Sequence, residues 1–173
     1  HEIVSLVQEK RIDFGLVASA VDLPELNCVP LFDDHLSLVL PRNHALADKH
    51  PATIEDLNGL PMILFSKGSW YRVMMDDLFR QYGVLPDVKM EIDSFEAIIR
   101  LVSPCHTATL LPLSYLRPRL LEDNDLTRGD IPELQKNVRT TSLIYPAPAE
   151  LSDTSRMMIE EAIRYFSQAG SGA

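Results

Sequence analysis

Between residues 61 and 111 the chain reads strand, helix, strand, helix, strand, and this order constrains its fold more than any other feature. Met62 to Phe65 is an apolar run of strand length. The polar stretch Ser66-Lys67-Gly68-Ser69 follows, and then a helical segment from Trp70 to Tyr82 that ends at Gly83, where a left-handed residue closes many helices. Val84 to Ile92 is extended. Asp93 with Glu96 predicts a capping box ahead of a second amphipathic helix bearing Ile98, Leu101 and Val102, and Ala108 to Leu111 is the next buried strand. Strands separated by helices pair through crossovers, which predicts an α/β architecture with largely parallel sheets.

The flanks repeat the theme. Ile3, Leu6 and Val7 at helical spacing predict a helix from Glu2 to Glu9, followed by a strand from Ile12 to Val17. Leu26 to Phe32 and Leu36 to Leu40 are further strands, with Asp33-Asp34-His35 between them fitting a hairpin turn with solvated carboxylates. Thr53 with Asp56 resembles a capping box and starts a short helix. Thr140 to Tyr145 is a strand, and Ile159, Ala162, Ile163 and Phe166 mark a terminal helix. Two subdomains are expected: residues 61–139 form one, and residues 1–60 with 140–173 form the other, so that the chain crosses between them twice.

Charge and cysteine usage narrow the function. The net charge of −9, from 16 Lys and Arg against 25 Asp and Glu, gives a field that repels a polyanionic backbone, so this chain is not expected to bind DNA itself. No apolar run approaches the roughly 20 residues of a membrane span. Cys28 and Cys105 form no CxxC pair, which suggests neither zinc nor a disulfide framework and points to a reducing cytoplasm. No catalytic triad, carboxylate pair or phosphate loop is present in the sequence pattern, so a non-enzyme without cofactor or metal is expected.

Three stretches, spread over nearly the whole chain, resemble the effector-binding domain of LysR-type bacterial transcription regulators. Arg11-Ile12-Asp13-Phe14-Gly15-Leu16-Val17 is similar to the family's "G-x-x-D-x-G-I" strand, with Lys10 and Arg11 where a glycine is common. Pro30-Leu31, Leu36-Ser37-Leu38-Val39-Leu40-Pro41 and His44-Ala45-Leu46-Ala47 resemble "P-L, then L-x-L-V-x-P-x-x-H-P-L-A". Ser94 to Ile98, leading through Leu101-Val102 to Leu110-Leu111-Pro112, resembles "V-x-x-G-x-G-I-x-x-L-P", with Cys105 and Thr107 at the glycine positions. That departure predicts side chains where relatives present bare backbone. The resemblance implies a fold like that of periplasmic binding proteins: two Rossmann-like subdomains with a ligand cleft between them. It also implies a winged helix-turn-helix and a first strand preceding residue 1, and an antiparallel homodimer through the helices Glu2 to Glu9 and Trp70 to Tyr82. A stand-alone solute-binding protein of the same fold is the alternative.

Several residues are candidates for the ligand site. Ser66, Gly68 and Ser69 lie between a strand and a helix start, where backbone N–H groups, hydroxyls and the helix dipole can hold a carboxylate; the competing reading is that Ser69 only caps the helix. His106 reads from residue type as a loop histidine, but the resemblance places it, with Thr107 beside it, toward the ligand. Ser19 follows a strand end, where open α/β sheets bind ligands, and reads equally well as a turn serine. The ligand so implied is a small-molecule effector, a carboxylate. Cys105 as a redox sensor lacks a resolving partner nearby, and Trp70 and Tyr71 read more readily as packing residues than as a stacking platform.

Overall fold

The structure, a computed structural model, describes residues 2–18, 21–49 and 51–169. In chain order its elements are α1 (Glu2–Gln8), β1 (Gly15–Val17), β2 (Leu26–Asp34), β3 (Leu36–Pro41), β4 (Pro61–Phe65), α2 (Trp70–Tyr82), β5 (Asp87–Ile92), α3 (Phe95–Val102), β6 (Thr109–Pro112), α4 (Pro118–Asp123), β7 (Leu126–Gly129), α5 (Pro132–Lys136), β8 (Arg139–Pro146) and α6 (Asp153–Ala169). Single 3-10 turns at Ala45–Asp48, Ile54–Leu57, Leu113–Tyr115 and Pro148–Glu150 complete them. The chain divides into two compact units, His1–Asp34 with Val138–Ala173, and His35–Asn137.

In the unit built from both flanks, β8 lies between β1 and β2 and pairs antiparallel with each. Leu143, Leu151 and Ile159 form its buried centre, with Phe14, Leu31, Tyr145, Ala162 and Ile163 packed around them. Two residues of the "D-x-G" stretch have evident tasks. A side chain at Gly15 would place its Cβ 2.4 Å from Ile3 Cγ2, so glycine lets α1 lie against β1. Asp13 accepts a hydrogen bond from Ser155 Oγ at 2.5 Å and so ties the strand to the start of α6. Lys10 adopts the left-handed φ of 57° that closes α1.

The middle unit carries β6-β3-β7, paired antiparallel, and the parallel pair β4-β5. A parallel bridge between Met62 and Ala108 joins them, with Ile63 N donating to Ala108 O at 2.9 Å and Ala108 N to Pro61 O at 3.0 Å. The resulting order is β5-β4-β6-β3-β7. Successive strand residues alternate between two cores. Leu38, Leu40, Met62, Leu64 and Leu110 face Met74, Met75, Leu78 and Phe79 of α2, whereas Val39, Ile63 and Leu111 face Ile98, Ile99 and Val102 of α3. Each fully buried aliphatic side chain contributes about 1.5–3 kcal/mol, which makes this two-faced packing the main source of the unit's stability.

Three expectations change. Residues 35–60 pack in the middle unit rather than with the flanks, because β3 is the central strand between β6 and β7, and Ala52, Ile54 and Leu57 are buried in the middle unit's core. It follows that Asp33-Asp34-His35 is not a hairpin turn: β2 and β3 belong to different sheets. The flank-built sheet is antiparallel and the middle unit's pairing mixed, where largely parallel sheets were expected, since period-two patterning is the same for either strand direction and does not reveal it. Between β6 and Asn137 lie α4, β7 and α5, each of four to six residues and too short to display a period in the sequence.

Candidate functional site

Because β4 and β5 are parallel neighbours ending at Phe65 and Ile92, the turns leading into α2 and α3 leave the sheet at the same edge. Ser66 N donates to Ile92 O at 3.0 Å, which fixes the start of the first turn. Ser69 is the N-cap of α2: its Oγ accepts from Arg72 N at 3.1 Å and donates to Ser66 O at 2.9 Å. Gly68 takes a φ of +86° with open space where a Cβ would stand, so its glycine answers a backbone requirement and not a steric one. The N–H groups of Gly68 and Trp70 have no acceptor among the described residues. An accessible helix start of this kind concentrates donors and the positive end of the helix dipole.

Ser94 caps α3 in the same manner, its Oγ accepting from Ala97 N at 3.3 Å. The predicted Asp93–Glu96 box is therefore displaced by one residue: the serine, whose backbone is extended at φ −138° and ψ 121°, takes the cap position. Aromatic rings line this edge. Tyr71 and Phe95 lie 5.0 Å apart, Phe65 and Phe95 4.9 Å, Phe95 and Tyr115 5.2 Å, and Trp70 meets Tyr71 edge-on at 5.0 Å with 45% of its surface exposed. Trp70 and Tyr71 do pack on neighbours, as residue type suggested, yet they do so at the rim of the Ser66–Ser69 turn.

Sequence reasoning missed Arg72, which is only 5% exposed. Its guanidinium donates to Phe65 O and Asp76 Oδ1 at 3.0 Å each and lies 3.5 Å from Glu91 Oε1, a carboxylate that also stands 4.0 Å from Lys67 Nζ. The i,i+4 spacing of Arg72 and Asp76 was visible, but an arginine on a helix reads by default as solvated.

The predicted ligand residues do not all meet. Ser66, Gly68 and Ser69 are together. His106 and Thr107 precede β6, which runs parallel to β4 and meets it at Met62, near the start of β4. They therefore lie at the opposite edge of the sheet, beyond Met62, which is itself four strand residues or about 13 Å from Ser66. His106 is exposed and holds a φ of 52°, while Thr107 is 4% exposed and its Oγ1 donates to Val102 O at 3.4 Å, closing α3. The motif stretch looked contiguous in sequence, but α3 spans the sheet between its two ends. Ser19 lies outside the described residues. Cys28 is partly buried and Cys105 exposed, both as free thiols. Among the described residues no cluster of three or more His, Cys, Asp or Glu could hold a metal, and no helix is long and apolar enough to cross a membrane.

The sequence model of the LysR substrate binding domain matches residues 1–167. Among curated proteins the chain is 29% identical over 168 residues to the transcriptional dual regulator GltC of Bacillus subtilis, covering 96% of this chain and 55% of GltC. It is 31% identical over 99 residues to the HTH-type transcriptional regulator cbl of Escherichia coli, covering 57% of this chain and 31% of that protein. The chain thus spans about half the length, or less, of these relatives. Among solved structures, the regulatory domain of CcmR from Synechocystis, in complex with 2-PG, superposes with a TM-score of 0.77 at 25% identity, over 95% of this chain and 78% of that one. The effector binding domain of QuiR, in complex with shikimate, gives a TM-score of 0.72 at 22% identity, over 96% and 78% of the two chains.

Proposed function

Because the chain belongs to the LysR substrate-binding domain family, we propose that it is the effector-sensing part of a bacterial transcription regulator and acts by binding a small molecule rather than by catalysis. The observation that carries this reading is the family match across residues 1–167, joined by relatives that are transcription regulators and match over 168 residues in one case and 99 in the other. Specific DNA binding then belongs to other parts of the whole protein, in keeping with the acidic charge of this chain, and the regulator works in the cytoplasm.

The effector in this reading is a small carboxylate held at the start of α2 by Ser66, Ser69 and the N–H groups of Gly68 and Trp70. The free donors and the helix dipole support it, because a desolvated anion needs both. His106 and Thr107 lie at the far edge and are not part of this proposed cradle. The test is a thermal-shift and calorimetric titration of the chain with small carboxylates, shikimate and 2-PG included. We expect at least one to raise the unfolding temperature and to bind more weakly to Ser69→Ala and Ser66→Ala. A panel in which only neutral molecules bind, or undiminished affinity in both variants, refutes the site.

The partner in this reading is a second copy of the chain, with α1 of one protomer against α2 of the other. Ile3 on α1 and Val73 on α2, 40% and 52% exposed, supply apolar surface for it. Val73→Asp should yield monomers by light scattering, because the interface would otherwise bury an unpaired charge. A variant that stays dimeric places the interface elsewhere.

A further inference from the structure

We propose that Arg72 is the positioning residue of the effector turn, holding Ser66–Ser69 in its donor-presenting shape through the carbonyl of Phe65. This rests on the reading of that turn as the anion site. Phe65 is the last residue of β4, and the ladder to β5 continues past it only through Ser66 N. Pairing between β4 and β6 is confined to the single bridge at Met62, so the Phe65 carbonyl, at the far end of the strand, has no strand partner on that side. A half-buried carbonyl left without a donor is costly, and the Arg72 guanidinium supplies one at 3.0 Å.

The same side chain is held from two further directions. Asp76, one turn along α2, accepts from Nε, and Glu91 on β5 stands 3.5 Å from Nη1, the nitrogen that also donates to Phe65 O. The planar fork therefore locks the end of β4, the first turns of α2 and the neighbouring strand into one arrangement, which a lysine's single ammonium cannot reproduce. Ser69 Oγ receives the N–H of this same residue, so backbone and side chain of Arg72 fix opposite ends of the turn. Glu91, shared between Arg72 and Lys67, also keeps the exposed lysine drawn toward β5.

The test needs no effector, so its failure and the failure of the anion-site reading are distinguishable. Hydrogen exchange is followed at the amides of Ser66, Arg72 and Val73, whose hydrogen bonds define the turn, and at Met75 to Phe79 in the middle of α2. Acrylamide quenching of Trp70, the single tryptophan of the chain, reads the same turn. We expect Arg72→Lys to speed exchange at the three turn amides by about tenfold and to raise Trp70 quenching, with the middle of α2 unchanged. Unchanged turn exchange, or an equal rise throughout α2, overturns the proposal, the latter because it marks a packing role alone. If Arg72→Lys does not fold, Glu91→Gln should produce the same local pattern in smaller measure, and an unaltered turn in that variant overturns the proposal equally.

Discussion

Replacing Ser69 by alanine removes one hydroxyl that makes two bonds, and the structure allows the cost to be worked out. The lost acceptor for Arg72 N is an N-cap interaction, worth about 1 kcal/mol. The lost donor to Ser66 O adds roughly 0.5 kcal/mol at most, because Ser66 is only partly buried and its carbonyl keeps a long bond from Ser69 N at 3.4 Å. The middle unit should therefore lose about 1–1.5 kcal/mol, equivalent to a fall of roughly 4–12 °C in its unfolding temperature. Urea unfolding followed by Trp70 emission is the appropriate assay, since the one tryptophan is the first residue of α2 and reports this unit rather than the other. Ser69→Gly is the control: glycine is tolerated at N-caps at a cost of only a few tenths of a kcal/mol. If Ser69→Ala unfolds with the wild-type midpoint, or if Ser69→Gly is as damaging as alanine, the hydroxyl is not acting as the cap and the reasoning fails.

Gly15→Ala should destabilise the flank-built unit by about 1 kcal/mol, the low end of overpacking costs, since Ile3 is 40% exposed and can partly swing aside; Ile3→Ala in the same chain should recover much of the loss on thermal unfolding. Thr109→Val should stabilise the middle unit by about 1 kcal/mol, because Thr109 is fully buried and its Oγ1 has no hydrogen-bond partner among the described residues; a fall in unfolding temperature would contradict this. His44 caps the 3-10 turn at Ala45–Asp48 by accepting Leu46 N at Nδ1, and burial holds its pKa below the ordinary 6.5. Its contribution is therefore complete above about 6.5 and lost as pH falls through the lower folded value, so His44→Asn, which keeps an acceptor but cannot titrate, should flatten the decline in stability below pH 6.5.

Much of the fold was legible in residue order. The helix at Trp70–Tyr82, its left-handed stop at Gly83 and the capping box at Thr53 and Asp56 follow from local chemistry, in which a hydroxyl, a carboxylate or a missing Cβ acts on its own stretch of backbone. The resemblance to the family was legible for a similar reason: it rested in part on Asp13 and Gly15, which here make a bond to α6 and a close contact with α1. The Ser66–Ser69 turn was legible because a strand end, a glycine and a cap fall within a few residues.

Tertiary structure alone decided what pairing and depth decide. Strand direction leaves no trace in a period of two, so only the folded chain shows that β3 is central to the middle unit and that residues 35–60 belong with it. The parallel bridge at Met62 and Ala108 separates His106 and Thr107 from Ser69 by the length of a strand, although the sequence pattern had joined them in one site. Arg72 became recognisable only once its burial and its bond to Phe65 O were known, because nothing in the residue type distinguishes an arginine folded beneath a turn from one in water. Local capping and periodicity depend on neighbours in the chain and can be read from it; site assembly depends on register between distant strands, which the chain acquires only by folding.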